Sequence, residues 1–172
     1  MNIALIGKTG SGKSTLAKRL AQEFDFEIIS SDILRDYIVA KCEGWETVQA
    51  AMKVGNPIPV SMTTKALELK LENSTSENFI IDNLVNASFL NAFEKHHNLD
   101  FAFYLEIDDE VAIQRVISRA RGEEIEHFLK SRSKWFTDNF PKLQSALGDR
   151  LILINTNDTP DAIYKQVSKF LR

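Results

Sequence analysis

Four short apolar runs punctuate the chain: Asn2–Ile6, Asn78–Ile81, Phe101–Ile107 and Leu151–Ile154. Each is rich in branched or aromatic residues, and none alternates apolar with polar, which is the pattern of a strand buried on both faces. A shorter run, Phe26–Ile29, is a fifth candidate. Apolar residues recur at helical spacing between the runs. Leu16, Leu20 and Phe24 form one stripe; Val111, Val116 and Ala120 belong to another helix; Ile163, Val167, Phe170 and Leu171 belong to a last one. Strand and helix alternate throughout. The pattern predicts a three-layer α/β fold, a doubly wound five-stranded parallel sheet with helices on both faces.

The segment from Ser31 to Asn73 breaks this rhythm. It carries about three helical stretches and no strand, interrupted at Gly44 and at Gly55-Asn56-Pro57-Ile58-Pro59. An all-helical insert between strands is a natural place for a substrate lid, and equally a set of helices that only pack on the sheet. The full 172 residues suit one domain. With 44% hydrophobic residues and a net charge of -3, neither disorder nor a nucleic-acid-binding face is expected. No apolar stretch approaches the ~18 residues of a membrane span. The single cysteine, Cys42, fits a reducing cytoplasm. A cytoplasmic monomer is the expectation.

Candidate chemistry begins at the first strand. Gly7-Lys8-Thr9-Gly10-Ser11-Gly12-Lys13-Ser14 is a phosphate-binding loop in the required context, with a strand before it and the helix Lys13–Phe24 after it. Its glycines let backbone N–H groups converge on phosphate oxygens, and the helix adds the positive end of its dipole. Gly7, Gly10, Ser11, Gly12 and Thr15 are expected along the nucleotide phosphates. Lys13 should reach the β- and γ-phosphates, and Ser14 should ligate Mg²⁺. The implied ligand is ATP, since the Asn-Lys-x-Asp pattern of GTPases is absent. Asp82, ending the run Phe79-Ile80-Ile81, is placed like a carboxylate that holds Mg²⁺ directly or through water.

With these residues in hand, the chain resembles an adenylate kinase, or more broadly a nucleoside monophosphate kinase, over nearly its whole length. Ile29-Ser30-Ser31-Asp32-Ile33-Leu34-Arg35 is similar to the segment opening the acceptor-binding helices, with Arg35 where the family holds the acceptor phosphate. Met52-Lys53-Val54-Gly55-Asn56-Pro57-Ile58-Pro59 resembles a turn that lines the acceptor base and sugar. Arg115 and Arg119 resemble a pair bordering the donor nucleotide. Arg121 and Arg132 reproduce the spacing of two lid arginines that grip both phosphates. The resemblance therefore implies an acceptor insert at about 31–73 and a minimal lid at about 120–132 within a single kinase domain. It assigns acceptor contacts to Ser30, Asp32, Arg35, Met52, Gly55, Ile58 and Asn86. It assigns phosphate-gripping roles to Lys13, Arg115, Arg121 and Arg132. Converging arginines suit this work because their planar forks bind phosphate oxygens two at a time.

The chain also departs from the family. After the strand-end Asp the family has Gly-Phe-Pro-Arg, whereas here the residues are Asn83-Leu84-Val85-Asn86. Replacing the acceptor-gripping Arg by Asn86 removes a charge-assisted contact, a loss of about 2–4 kcal/mol. The family's adenine-reading Gln falls near Leu90, and the loop ends Gly12-Lys13-Ser14-Thr15 rather than Gly-Lys-Gly-Thr. Two alternatives follow. One is a kinase acting on a hydroxyl, with Asp32 as base; the other is an ATP-binding sensor with little turnover. Elsewhere, His96 and His97 are expected to be exposed at a helix C-terminus. Asp108 and Asp109 read as an N-cap pair. Trp135 and Phe136 are expected to anchor the helix of Arg132. Trp45 either packs locally or stacks on a base.

Overall fold

The computed structural model describes residues 1–53, 58–118 and 124–172. Five strands form one sheet: β1 (Asn2–Ile6), β2 (Glu27–Ser30), β3 (Phe79–Asp82), β4 (Phe101–Glu106) and β5 (Leu151–Asn155). Their order is β2-β3-β1-β4-β5, and every pairing is parallel. The helices are α1 (Lys13–Phe24), α2 (Ser31–Lys41), α3 (Trp45–Lys53), α4 (Val60–Glu72), α5 (Ala87–Glu94), α6 (Asp109–Ile117), α7 (Glu124–Leu147) and α8 (Pro160–Ser168).

The continuous apolar runs follow from this arrangement. All five residues of β1 are buried. Ile3 and Leu5 face one core with Leu16, Leu20, Ile163 and Val167, which come from α1 and α8. Ala4 and Ile6 face the other with Leu34, Leu67, Phe89 and Leu143, which come from α2, α4, α5 and α7. A strand sandwiched between two helical layers has no solvent face to mark with polar residues. In register, Leu5 of β1 stands beside Asp82 of β3 and Ile6 beside Tyr104 of β4. The carboxyl ends of the central strands thus open onto one crevice, the usual ligand position in such sheets.

Some boundaries and faces differ from the sequence expectation. The last helix ends at Ser168, and Phe170 packs on the rings of Phe101 and Phe103 at 5.9 and 5.6 Å from the turn that follows. The residue that α6 buries is Ala112, while Val111 and Val116 are only half-buried and Ala120 lies outside the described residues. His97 is not exposed. Its ring lies 4.8 Å from Phe79 and 5.7 Å from Phe93, so an apolar pocket at the foot of the sheet holds it. Trp45 is buried in the core around α2 and α4, which settles it as a packing residue. Phe136 stacks near Tyr104 at 6.0 Å and anchors α7 as expected. Among the described residues, no helix is long and apolar enough to cross a membrane.

Candidate active site

The loop between β1 and α1 is built around its glycines. Gly10 takes φ 94, and a Cβ there would sit 2.5 Å from the carbonyl oxygen of Ala112, so the loop is pressed against α6. Gly12 also takes φ 94, but a Cβ there would meet nothing within 4 Å. It would project into open space at the start of α1, where a phosphate would be cradled. Lys13 is nearly buried, and its Nζ donates to the carbonyls of Gly7 and Lys8 at 2.7 and 2.9 Å. Its ammonium is therefore held over the loop rather than out in solvent.

A cavity of about 380 Å³ opens beside this loop. Thr9, Gly10, Gly12, Lys13, Ser14 and Thr15 line it. Ser30, Ser31, Asp32, Asp82 and Asn83 line it as well, together with Val116 of α6. The sheet thus brings together residues that the sequence placed on separate segments: the loop, the start of α2 and the end of β3.

Asp82 is 9% exposed, and its Oδ1 has no hydrogen-bond partner. A buried, unpaired carboxylate oxygen costs several kcal/mol unless something satisfies it. Asp82 shares the cavity with the exposed hydroxyl of Ser14. Hard oxygen donors of this kind fit Mg²⁺, which takes one or two protein ligands and completes its shell with water and phosphate.

Other candidates are placed differently. The Ser30 hydroxyl caps α2 by accepting from Ile33 N at 3.3 Å, even as it lines the cavity. Asp32 pairs with Arg35 at 3.2 Å, and both side chains are well exposed. Arg115 donates to the carbonyl of Thr156 at 3.3 Å, which ties α6 to the loop after β5. Asn86 caps α5, its Oδ1 accepting from Phe89 N at 2.9 Å. Ile58 packs against the core. Arg35, Arg115, Asn86 and Ile58 are not among the residues that line the cavity. Gly55, Arg119 and Arg121 lie outside the described residues, as do the side chains of Met52 and Arg132.

Two features were not expected. Asn83 lines the cavity in a left-handed backbone conformation, φ 87. Asp109 does not act as a cap: its carboxylate accepts from Lys8 Nζ at 2.6 Å and from the Ser133 hydroxyl at 3.1 Å. Asp108 takes the N-cap position with its backbone alone. The phosphate loop, the start of α6 and α7 are thereby linked. The hydrogen bond from Lys8 holds the Asp109 carboxyl below the ordinary aspartate range. Partial burial opposes the shift, and the Lys8 charge and the Ser133 hydroxyl add to it.

The adenylate kinase family model matches residues 5–171. An adenylate kinase of Fervidobacterium nodosum is 34% identical over 69% of this chain and 58% of its own length. One of Flavobacterium psychrophilum is 32% identical over 70% of this chain and 68% of its own length. Adenylate kinase 2 of Nostoc is 25% identical over 99% of this chain and 98% of its own length. The chain thus spans less than two thirds of the Fervidobacterium relative and nearly all of the Nostoc one. With the family model running from the phosphate loop to the last helix, this chain belongs to the adenylate kinase family.

Proposed function

We propose that the chain transfers the γ-phosphoryl group of ATP to a nucleoside monophosphate, and that the cavity beside the phosphate loop is where donor and acceptor meet. The observation that carries this reading is the shared cavity, which Lys13 and Ser14 of the phosphate loop line together with Ser30 and Asp32 at the start of the insert and Asp82 at the end of β3. The donor phosphates lie along Gly7 to Thr15. The acceptor lies under the helical insert at about 31–73, with Arg35 and the turn at Met52, Gly55 and Ile58 as its further contacts. The segment at about 120–132 closes over both, bringing Arg121 and Arg132 to the phosphates, while Arg115 and Arg119 border the donor nucleotide.

An acceptor phosphate oxygen attacks the γ-phosphorus in line. The new O–P bond forms as the bond to the β–γ bridging oxygen breaks, which leaves ADP and a nucleoside diphosphate. No general base is needed, because the acceptor oxygen is already ionised near pH 7. Lys13 offsets charge on the donor, and the arginines offset it around the transferring group. Ser14 and Asp82 would hold Mg²⁺, which supplies charge neutralisation at the donor phosphates. Closure excludes water as a competing acceptor. A hydroxyl acceptor is disfavoured, since the family model matches residues 5–171 and the relatives of this chain are adenylate kinases.

The test is a panel of AMP, GMP, CMP and UMP, each incubated with Mg·ATP and this protein. At least one, with AMP the first expectation from the family, is converted to its diphosphate. Failure of all four refutes the reading.

A further inference from the structure

Asn83 follows Asp82 at the mouth of β3, and its backbone takes φ 87. Among the described residues, one other non-glycine has a positive φ: Asp25, at 55, which ends α1 as its C-cap. That is an ordinary position for a left-handed residue. At 87°, Asn83 lies beyond the narrow left-handed region that side-chain-bearing residues tolerate. The turn itself dictates this. The N–H groups of Asn83 and Leu84 both donate to the carbonyl of Leu5, at 3.1 and 3.0 Å, so the chain folds back sharply over the end of β1. Glycine is the unstrained choice there, and the family pattern named above has glycine at this point.

Asn is often kept at left-handed positions because its side chain can bond nearby backbone. Among the described residues, the Asn83 amide makes no such bond. Its side chain is half-buried, and Asn83 lines the same cavity as Lys13 and Ser14. Asn86, where the family's acceptor-gripping arginine would stand, has its carbonyl oxygen engaged in capping α5. Strain retained at a cavity wall, with a polar side chain that supports nothing local, marks a functional position.

We propose that Asn83 is an acceptor-binding residue whose side-chain amide hydrogen-bonds the phosphate of the nucleoside monophosphate. The amide offers two donors and an acceptor. It takes up, without charge, part of the duty of the missing arginine. The inference rests on the proposed function, and direct binding separates the two.

The experiment compares wild type, Asn83→Gly and Asn83→Asp by titration of AMP and, separately, of Mg·ATP, alongside thermal melting. Asn83→Gly removes the amide and relieves the turn. Its Tm stays within about 3 °C of wild type, because strain relief is offset by the extra freedom of glycine in the unfolded chain. Its Kd for AMP rises about 10-fold, and its Kd for ATP does not change. Asn83→Asp, nearly isosteric and tolerant of the same backbone, also loses AMP affinity, because its carboxylate donates nothing and repels phosphate. A residue serving only the turn would leave AMP binding intact in both variants, and that result overturns the inference. Wild-type AMP binding without phosphoryl transfer defeats the proposed function while leaving this inference to be judged on the two Kd values. No AMP binding by wild type defeats this inference, and the proposed function falls with it only if GMP, CMP and UMP are not phosphorylated either.

Discussion

Gly10 and Gly12 share a backbone conformation and differ in surroundings, so the same substitution at each separates loop packing from phosphate binding. Both stand at φ 94, where an alanine costs about 1–2 kcal/mol. At Gly10 the added Cβ would also fall 2.5 Å from the carbonyl oxygen of Ala112 and 3.1 Å from its carbonyl carbon. These are backbone atoms of a helix and cannot swing aside, so overpacking adds about 1–3 kcal/mol. For Gly10→Ala the sum is about 2–5 kcal/mol, a fall in Tm of roughly 4–20 °C for a chain of this size. At Gly12 the Cβ would meet nothing within 4 Å, so only the conformational cost remains and Tm falls by roughly 2–8 °C. Its methyl group, however, enters the space where phosphate is expected. Affinity for Mg·ATP should therefore drop by at least about 10-fold in Gly12→Ala, equivalent to about 1.4 kcal/mol. Calorimetric melting gives the first quantity and titration with Mg·ATP the second. If Gly12→Ala melts below Gly10→Ala, or if it binds Mg·ATP like wild type, the assignment of Gly12 to the phosphate cradle is wrong.

Asp109→Asn breaks the ion pair with Lys8. Because the Asp109 side chain is 58% exposed, the loss is small, about 0.2–1 kcal/mol. The Asp109 carboxyl is depressed in the folded state, so its contribution is present above the unfolded value of about 3.9 and is lost as pH falls through the folded one. The difference in stability between wild type and Asp109→Asn should be flat from pH 5 to 8 and shrink below about pH 4, as followed by urea melts. Asp82→Asn removes a buried charge with an unpartnered oxygen, so Tm should hold or rise while the Mg²⁺ dependence of ATP binding weakens. A loss of stability with Mg²⁺ dependence intact would refute the metal assignment. Asn86→Ala removes the α5 cap and should cost about 1 kcal/mol, whereas Asn86→Ser keeps a capping oxygen and most of the stability, measurable by the same melts.

What was legible in the sequence is what short-range physics determines. Asn2–Ile6 announces a doubly buried strand because each of its residues must be apolar or paired. The phosphate loop is readable because glycines, lysine and serine must stand at fixed offsets for backbone groups to face one anion. Asp82 is readable because it ends a strand of the same sheet. Long-range pairing was not legible. Lys8 and Asp109 stand far apart in sequence, and nothing local distinguishes Asp109 from a helix cap. Arg115 likewise takes its donor-nucleotide role from the family resemblance, while the partner it has in the structure, the Thr156 carbonyl, arrives from the next strand's loop. His97 next to His96 reads as surface, yet the fold carries it onto Phe79 and Phe93. Asn83 reads as a mere substitution in a motif. Its meaning rests on a backbone angle that side-chain identities do not encode.

The central claim is that the cavity joins a donor and a phosphate acceptor. It is tested most directly by incubating the protein with Mg²⁺, a mixture of AMP, GMP, CMP and UMP, and ATP labelled at the γ-phosphorus, then separating the products. The account predicts that the label passes to the β-position of a newly formed diphosphate, in step with the loss of ATP. Label recovered as free phosphate, or none released while ATP stays bound, would contradict it.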